Sequence, residues 1–148
     1  MLYFAYGSNL NQKQMKIRCK DSYFIKSISL KGYSLTFRSK YGAADIEKKK
    51  NSKVMGALYE ISKSDEKRLD IYEEYPILYK KMYFNYYNNE IMTYIMVKKS
   101  TYKKPTERYF STNGFDTISR PSIDSTNENE DEELDDYLSN NTSKRKNS

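Results

Sequence analysis

The segment YFAYGSNL, residues 3–10, decides how the rest of this sequence is interpreted. Residues 2–6 form an apolar, aromatic run that Gly7 interrupts, which is typical of a short buried strand. The residues that follow, Gly7, Ser8 and Asn9, have little apolar surface to bury. Such a run occurs either in a tight turn or in a group of backbone N–H donors that holds an anion. The segment alone leaves both interpretations open.

Two helices are predicted beyond this strand. The first covers residues 11–19, and either Asn9 or Asn11 can cap its N-terminus. The second covers residues 64–74, with serine caps and acidic residues in its first turn, and Pro76 ends it.

The remaining elements are predicted as strands. Alternating or apolar patterns cover 28–38, 40–46, 54–61, 79–87 and 90–98, with a polar turn at 47–53 and a hairpin turn at Asn88-Asn89. A last ordered piece is expected at 107–115. Hairpins outnumber βαβ units, so the predicted fold class is α+β, with a small, bent, barrel-like antiparallel or mixed sheet and two or three short helices.

Charge is distributed unevenly along the 148 residues. Residues 119–148 carry eight acidic and four basic residues and few large apolar ones, so we expect a disordered tail there and one folded domain at 1–118. The folded part then has 22 basic and 12 acidic residues, a net charge of +10. A basic folded part is typical of nucleic-acid-binding proteins. The lysines of this part are scattered along the sequence, however, so nucleic-acid binding is not favoured.

The absence of histidine restricts the chemistry. Ser-His and Cys-His nucleophilic schemes and His-ligated metal sites are excluded, and Cys19 alone cannot form an internal disulfide or a thiolate metal cluster. No signal peptide or membrane span is recognisable, and we expect a cytoplasmic protein, monomeric or homodimeric. An enzyme of this composition would have to transfer protons with Glu, Asp, Lys, Tyr or Cys.

Glu73 is the candidate for that proton transfer. On the second helix, Leu69 is the apolar anchor, and Tyr72 and Glu73 follow it three and four residues later on the same face. Partial burial and the helix dipole would both raise the carboxyl pKa from about 4.3. A carboxylate with a raised pKa is a better general base near neutral pH. Asp70 and Glu74 are expected to face solvent.

A structural explanation for Glu73 remains open. Near the end of the helix it could form an ion pair with one of three neighbouring cations: Arg68, Lys80 or Lys81. Spacing alone does not separate this alternative from the catalytic one.

Several segments, taken in order, resemble the gamma-glutamylcyclotransferase-like family. These are YFAYGSNL, KGYSLTF, GAADI, VMGALYEIS and LDIYEEYPILYKK, with a weaker similarity at PTERYFSTNG. One departure is Glu74, where many members of the family have glycine. This residue could raise the pKa of Glu73 or could simply face solvent.

The resemblance implies release of 5-oxoproline from a small gamma-glutamyl substrate, with Glu73 as the catalytic acid/base. It implies substrate-binding roles for a further set of residues: Tyr3, Tyr6, Gly7, Ser8, Asn9, Leu10, Tyr79 and Tyr109. In this reaction the substrate's own amine is the nucleophile, so no metal or organic cofactor is expected. A non-catalytic family member that binds a small ligand is the alternative.

Overall fold

The computed structural model describes residues 1–38 and 42–99. The elements of this part are β1 (Leu2–Ala5), a 3₁₀ turn (Ser8–Leu10), α1 (Gln12–Arg18), β2 (Tyr23–Arg38), β3 (Ala43–Glu60), α2 (Lys63–Tyr72), β4 (Tyr79–Tyr86) and β5 (Asn89–Met96). None of the helices in these ranges is long and apolar enough to cross a membrane. The predicted segment 107–115, Tyr109 and the predicted tail lie outside the described residues.

The five strands form one mixed sheet in the order β2-β3-β1-β5-β4. The central strand β1 pairs antiparallel with β3 and parallel with β5, whereas β2–β3 and β4–β5 are antiparallel hairpins. This arrangement confirms the predicted α+β class.

Both faces of β1 are buried because the sheet has a core on each side. Tyr3 and Ala5 belong to one core, which the helices cover with Met15, Cys19 and Leu69. The intervening residues of β1 belong to the second core on the opposite face. The strand therefore contributes apolar surface to both cores, which explains its continuous apolar sequence.

The second core lies inside the bend of the sheet. The edge strands β2 and β4 do not pair with each other in the described residues, but the Tyr33 hydroxyl lies 3.5 Å from the Met82 Sδ across the gap between them. Phe4 and Phe84 pack edge to face below this contact, with ring centroids 5.8 Å apart. Side chains thus bring the two edges together, and the sheet is bent as expected.

Gly56 allows β3 to approach β1 closely. A Cβ atom at this position would lie 2.3 Å from the Phe4 ring and 2.5 Å from the Ala5 carbonyl oxygen. Glycine is therefore required where β1 and its aromatic side chain cross β3.

The predicted polar turn at 47–53 is wrong. β3 continues through this segment, and β2 pairs with both of its ends, Tyr33 opposite Lys48 and Lys31 opposite Lys53. The two strands shift register between these pairs, and Asn51 has a φ of 62°. The polar residues thus form an irregularity inside a long hairpin, which local composition cannot distinguish from a turn.

The hairpin predicted between the last two strands is present, one residue earlier than expected. Tyr86 pairs with Asn89, so Tyr87 and Asn88 form the two-residue turn. Both have positive φ, as a type I′ turn requires.

Candidate active site

A cavity of about 300 Å³ lies where β1 ends. Its walls come from four parts of the chain that are distant in sequence: Tyr3, Tyr6, Gly7, Ser8, Asn9, Ala43, Ala44, Tyr72, Glu73, Leu78, Tyr79, Thr93 and Tyr94. Most of the wall is aromatic or polar, with one carboxylate. This combination suits a small ligand that must be oriented by a few hydrogen bonds.

The segment after β1 is a tight turn that also forms part of the wall. The Leu10 N–H donates to the Gly7 carbonyl oxygen at 3.0 Å, so the N–H groups of Ser8 and Asn9 precede the first hydrogen bond of the 3₁₀ turn. Asn11, and not Asn9, caps α1, since its side chain accepts from Lys13 and Gln14. The Asn9 side chain is therefore available to the cavity.

Glu73 ends α2 and contributes its carboxyl group to the cavity. Leu69, one turn earlier, is fully buried and fixes this face of the helix against the core. The Glu73 Oε1 accepts from the Asn9 Nδ2 at 3.4 Å. Burial raises the pKa of Glu73 to about 7, and the nearby Arg18 guanidinium opposes this shift. The carboxyl group is thus balanced between its two protonation states near neutral pH.

In the described residues, Glu73 does not form the ion pair with Arg68, Lys80 or Lys81 that was the structural alternative. Lys81 binds Asp70 at 2.9 Å and Glu66 at 3.8 Å. Within residues 1–38 and 42–99, no lysine or arginine nitrogen lies within 4.0 Å of the Glu73 carboxylate.

Arg18 determines the orientation of the Asn9 side-chain amide. A guanidinium group can only donate, and it donates to the Asn9 Oδ1. The Asn9 Nδ2 must then face the other way, where it donates to the Tyr3 hydroxyl oxygen at 2.9 Å and to Glu73. Arg18 also stacks on the Tyr72 ring, 3.5 Å from its centroid. The predicted loop and the predicted carboxylate are thereby joined in one hydrogen-bonded network.

Most of the residues predicted from the sequence lie together in this cavity. Six of the eight predicted substrate-binding residues line it, namely Tyr3, Tyr6, Gly7, Ser8, Asn9 and Tyr79, together with Glu73. Leu10 does not, because its side chain packs against the core below α1. Their roles toward a substrate remain predictions.

The sequence did not reveal the contributions from other elements. Thr93 and Tyr94 reach the cavity because β5 pairs in parallel with β1, a contact that no local pattern encodes. The sequence could have indicated Tyr72 as a cavity residue, because it shares the helix face of Leu69 and immediately precedes Glu73.

The expectation that Asp70 faces solvent is wrong. Its Oδ1 accepts from the Tyr94 hydroxyl at 2.6 Å, and Lys81 donates to its Oδ2 at 3.0 Å. Asp70 lies on the helix face that the spacing predicted, but Lys81 of β4 and Tyr94 of β5 contact it there.

Glu74 forms the turn that follows Glu73. The Tyr75 N–H donates to the Asp70 carbonyl oxygen at 2.9 Å and the Glu74 N–H to the Ile71 carbonyl oxygen at 3.2 Å, which is the Schellman pattern. Glu74 occupies its left-handed position with a φ of 52°. Its side chain is exposed and does not line the cavity, so the solvent-facing alternative describes it correctly.

Glu74→Gly is expected to raise the free energy of unfolding by about 1 kcal/mol, since an L-residue is strained in the left-handed region and glycine is not. Chemical denaturation measures this change. Glu74→Ala is the matched control, because it removes the charge and keeps the strain. An equal gain in both variants would attribute the effect to charge and contradict the prediction.

Comparison with known proteins adds a family and a fold to this geometry. A family model described as gamma-glutamyl cyclotransferase, AIG2-like, matches residues 3–114. A solved structure titled gamma-glutamyl cyclotransferase is similar with a TM-score of 0.65 and 23% identity, over 82% of this chain and 81% of its own.

Two further solved structures share the fold. An uncharacterized protein from Homo sapiens has a TM-score of 0.63 and 22% identity, over 90% of this chain and 85% of its own. An AIG2-like protein from Mus musculus has a TM-score of 0.55 and 16% identity, over 72% and 87%. No curated protein matches the sequence significantly.

Proposed function

Since the chain belongs to the gamma-glutamyl cyclotransferase, AIG2-like family, we propose that it cyclises the gamma-glutamyl group of a small molecule. The α-amine nitrogen of the substrate attacks its own γ-carbonyl carbon, and the bond from this carbon to the leaving nitrogen breaks. The products are 5-oxoproline and a free amine, and no water is consumed.

The observation that carries the proposal is the position of Glu73, whose carboxyl group lines the cavity beside Asn9. The substrate amine is mostly ammonium near neutral pH and must lose a proton before it can attack. The leaving nitrogen must gain one. A single carboxyl group with a pKa of about 7 can accept the first proton and deliver the second.

The turn at the end of β1 supplies the second requirement, a folded-back substrate. Tyr6, Gly7, Ser8 and Asn9 form one continuous side of the cavity next to Glu73. A glutamyl chain held in a ring-like conformation has already lost the entropy that a flexible chain loses on cyclisation, a gain of several kcal/mol in favourable cases. The polar donors of this turn suit the α-carboxylate of that chain.

The chain's lack of histidine agrees with this reaction class. Because the substrate provides the nucleophile, the protein needs neither an activated serine nor a cysteine. Cys19 is buried, and burial raises the pKa of its thiol to about 12. Such a thiol is a poor nucleophile at neutral pH.

The test is 5-oxoproline release, measured by mass spectrometry, from gamma-glutamyl amino acids, gamma-glutamyl amines and glutathione. Turnover of at least one of these is expected. The same substrate with an acetylated α-amine is the matched control, and it should release no cyclic product because its nucleophile is blocked. A protein that binds these compounds without turning any of them over would instead be a non-catalytic family member.

A further inference from the structure

The hydroxyl groups that line the cavity differ in whether their protons are hydrogen-bonded to an acceptor in the protein. Tyr6 donates to the Tyr94 carbonyl oxygen and Tyr79 to the Ala44 carbonyl oxygen at 2.6 Å. Thr93 donates to the Phe4 carbonyl oxygen at 2.8 Å, and the Tyr94 hydroxyl to Asp70. These protons are engaged by the protein itself.

Two hydroxyl oxygens of the cavity are acceptors instead: in an exposed contact the Ser8 Oγ accepts from the Tyr72 hydroxyl at 3.0 Å, and in a buried contact the Tyr3 oxygen accepts from Asn9. Arg18 fixes the Asn9 amide so that its Nδ2 faces the Tyr3 hydroxyl oxygen, and an amide nitrogen can only donate. The Tyr3 proton is therefore not used in its contact with Asn9. Within the described parts of the chain, no group accepts this proton.

An unengaged donor at this depth is unusual. The Tyr3 side chain is 3% exposed, yet it lines the cavity. Buried hydroxyl groups nearly always have an acceptor, and one without an acceptor in the protein calls for an explanation such as a catalytic role or a bound water or ion. The Tyr59 hydroxyl, buried nearby, follows the general rule and donates to the Asn9 carbonyl oxygen at 3.1 Å.

The position of the Tyr3 hydroxyl relative to Glu73 indicates which substrate atom it serves. Both oxygens accept from the same Asn9 nitrogen, at 2.9 Å and 3.4 Å, so they are at most 6.3 Å apart. With the α-amine next to Glu73, its proton acceptor, the space between the two groups can hold the γ-carbonyl carbon that the amine attacks. The carbonyl oxygen then lies on the side of Tyr3.

We propose that Tyr3 is a catalytic residue whose hydroxyl donates to the γ-carbonyl oxygen as that oxygen becomes negatively charged during attack. This inference rests on the proposed cyclotransferase function. In this step the amine–carbon bond forms, and the carbonyl electron pair moves onto the oxygen. The oxygen remains hydrogen-bonded to Tyr3 until the leaving nitrogen departs. The Tyr3 proton stays on the phenol throughout.

The electrostatic environment of Tyr3 agrees with a permanent donor. Burial, followed by the charge of Glu73, raises the pKa of Tyr3 well above its ordinary value. The phenol therefore stays protonated over the whole working range and cannot compete with Glu73 as a base. Asn9 and Arg18 position it and do not themselves act on the oxygen.

Tyr3→Phe tests this role, since it removes one oxygen atom and preserves the ring. Steady-state kinetics of 5-oxoproline release should show kcat reduced about 10²- to 10³-fold, the loss typical of one oxyanion donor, with KM changed less than about threefold. The substitution removes the hydrogen bond from the Asn9 Nδ2, which retains Glu73 as an acceptor, so the midpoint of thermal unfolding should fall by no more than about 8 °C.

Tyr33→Phe is the chemical control, because the Tyr33 hydroxyl contacts the Met82 sulfur and Tyr33 does not line the cavity. It should retain the activity of the unmodified protein. An active protein in which Tyr3→Phe keeps its kcat, changes only KM, or loses several kcal/mol of stability would overturn the role of Tyr3 alone. Absence of 5-oxoproline release from the unmodified protein would overturn the proposed function as well.

Discussion

Glu73→Gln is expected to reduce 5-oxoproline release by about three orders of magnitude, within the range of 10² to 10⁴ usual for a general acid/base. Glutamine has the size of the protonated carboxyl group and can still accept from Asn9 through its amide oxygen. It cannot take a proton from the substrate ammonium group or return one to the leaving nitrogen. The loss should therefore appear in kcat, with the fold preserved.

The matched control is Glu74→Gln, which changes the adjacent carboxylate in the same way. Glu74 is exposed and does not line the cavity, so activity should be unchanged. In the unmodified protein, kcat/KM should rise with pH through about 7, as Glu73 becomes the base form. Full activity in Glu73→Gln would exclude Glu73 as the acid/base.

The same substitution should stabilise the protein at alkaline pH. Glu73 has a pKa of about 7 when folded and 4.5 as its reference, so between these values the folded protein retains a proton that the unfolded chain has lost. Stability is therefore complete below about pH 4.5 and falls as pH rises through 7. At about 1.4 kcal/mol per pKa unit, the cost reaches about 3 kcal/mol by pH 8.

Glutamine carries no such cost. Denaturation at pH 5 and pH 8 should show Glu73→Gln close to the unmodified protein at the lower pH and more stable at the higher. A variant that is less stable at pH 8 would contradict the burial of an ionised Glu73. Activity and stability thus respond to this residue in opposite directions, as expected where a charge is buried for function.

Asp45→Asn is expected to cost about 3 to 5 kcal/mol of folding free energy, the range for breaking a buried ion pair by removing one partner. Asp45 is fully buried and accepts from the Arg38 Nε at 3.1 Å, the Lys99 Nζ at 2.8 Å and the Met96 N–H at 2.9 Å. Asparagine keeps the shape and removes the charge that compensates the two cations. Thermal unfolding and chemical denaturation measure the loss.

Glu47→Gln is the control for this prediction. Glu47 also binds Arg38, but its side chain is 48% exposed, so the change should cost no more than about 1 kcal/mol. Equal losses in the two variants would show that burial is not what distinguishes the two carboxylates. Asp45 immediately follows the cavity residues Ala43 and Ala44, so a loss of packing here should also reduce ligand binding.

Local sequence was sufficient for features that neighbouring residues determine. The apolar run before Gly7, the Asn11 and Ser62 caps and the face of Leu69 all follow from residues within one or two turns of each other. Such features depend on backbone hydrogen bonding and side-chain period, which a single segment specifies. Predictions failed where pairing with a distant segment changed the local preference, as in the strand through 47–53.

The sequence by itself determined that a polar segment with little apolar surface follows the first strand, that Glu73 shares the buried face of its helix, and that no histidine could take its place. Only the tertiary structure brought Glu73 to Asn9. Only the tertiary structure also placed Arg18 so that it orients the Asn9 amide, whose nitrogen then donates to Tyr3 and leaves the Tyr3 proton for a ligand. The physical reason is that burial and hydrogen-bond direction are set by contacts between different elements, 9 residues apart for Arg18 and Asn9 and 64 apart for Asn9 and Glu73, and those contacts exist only once the sheet and helices have packed together.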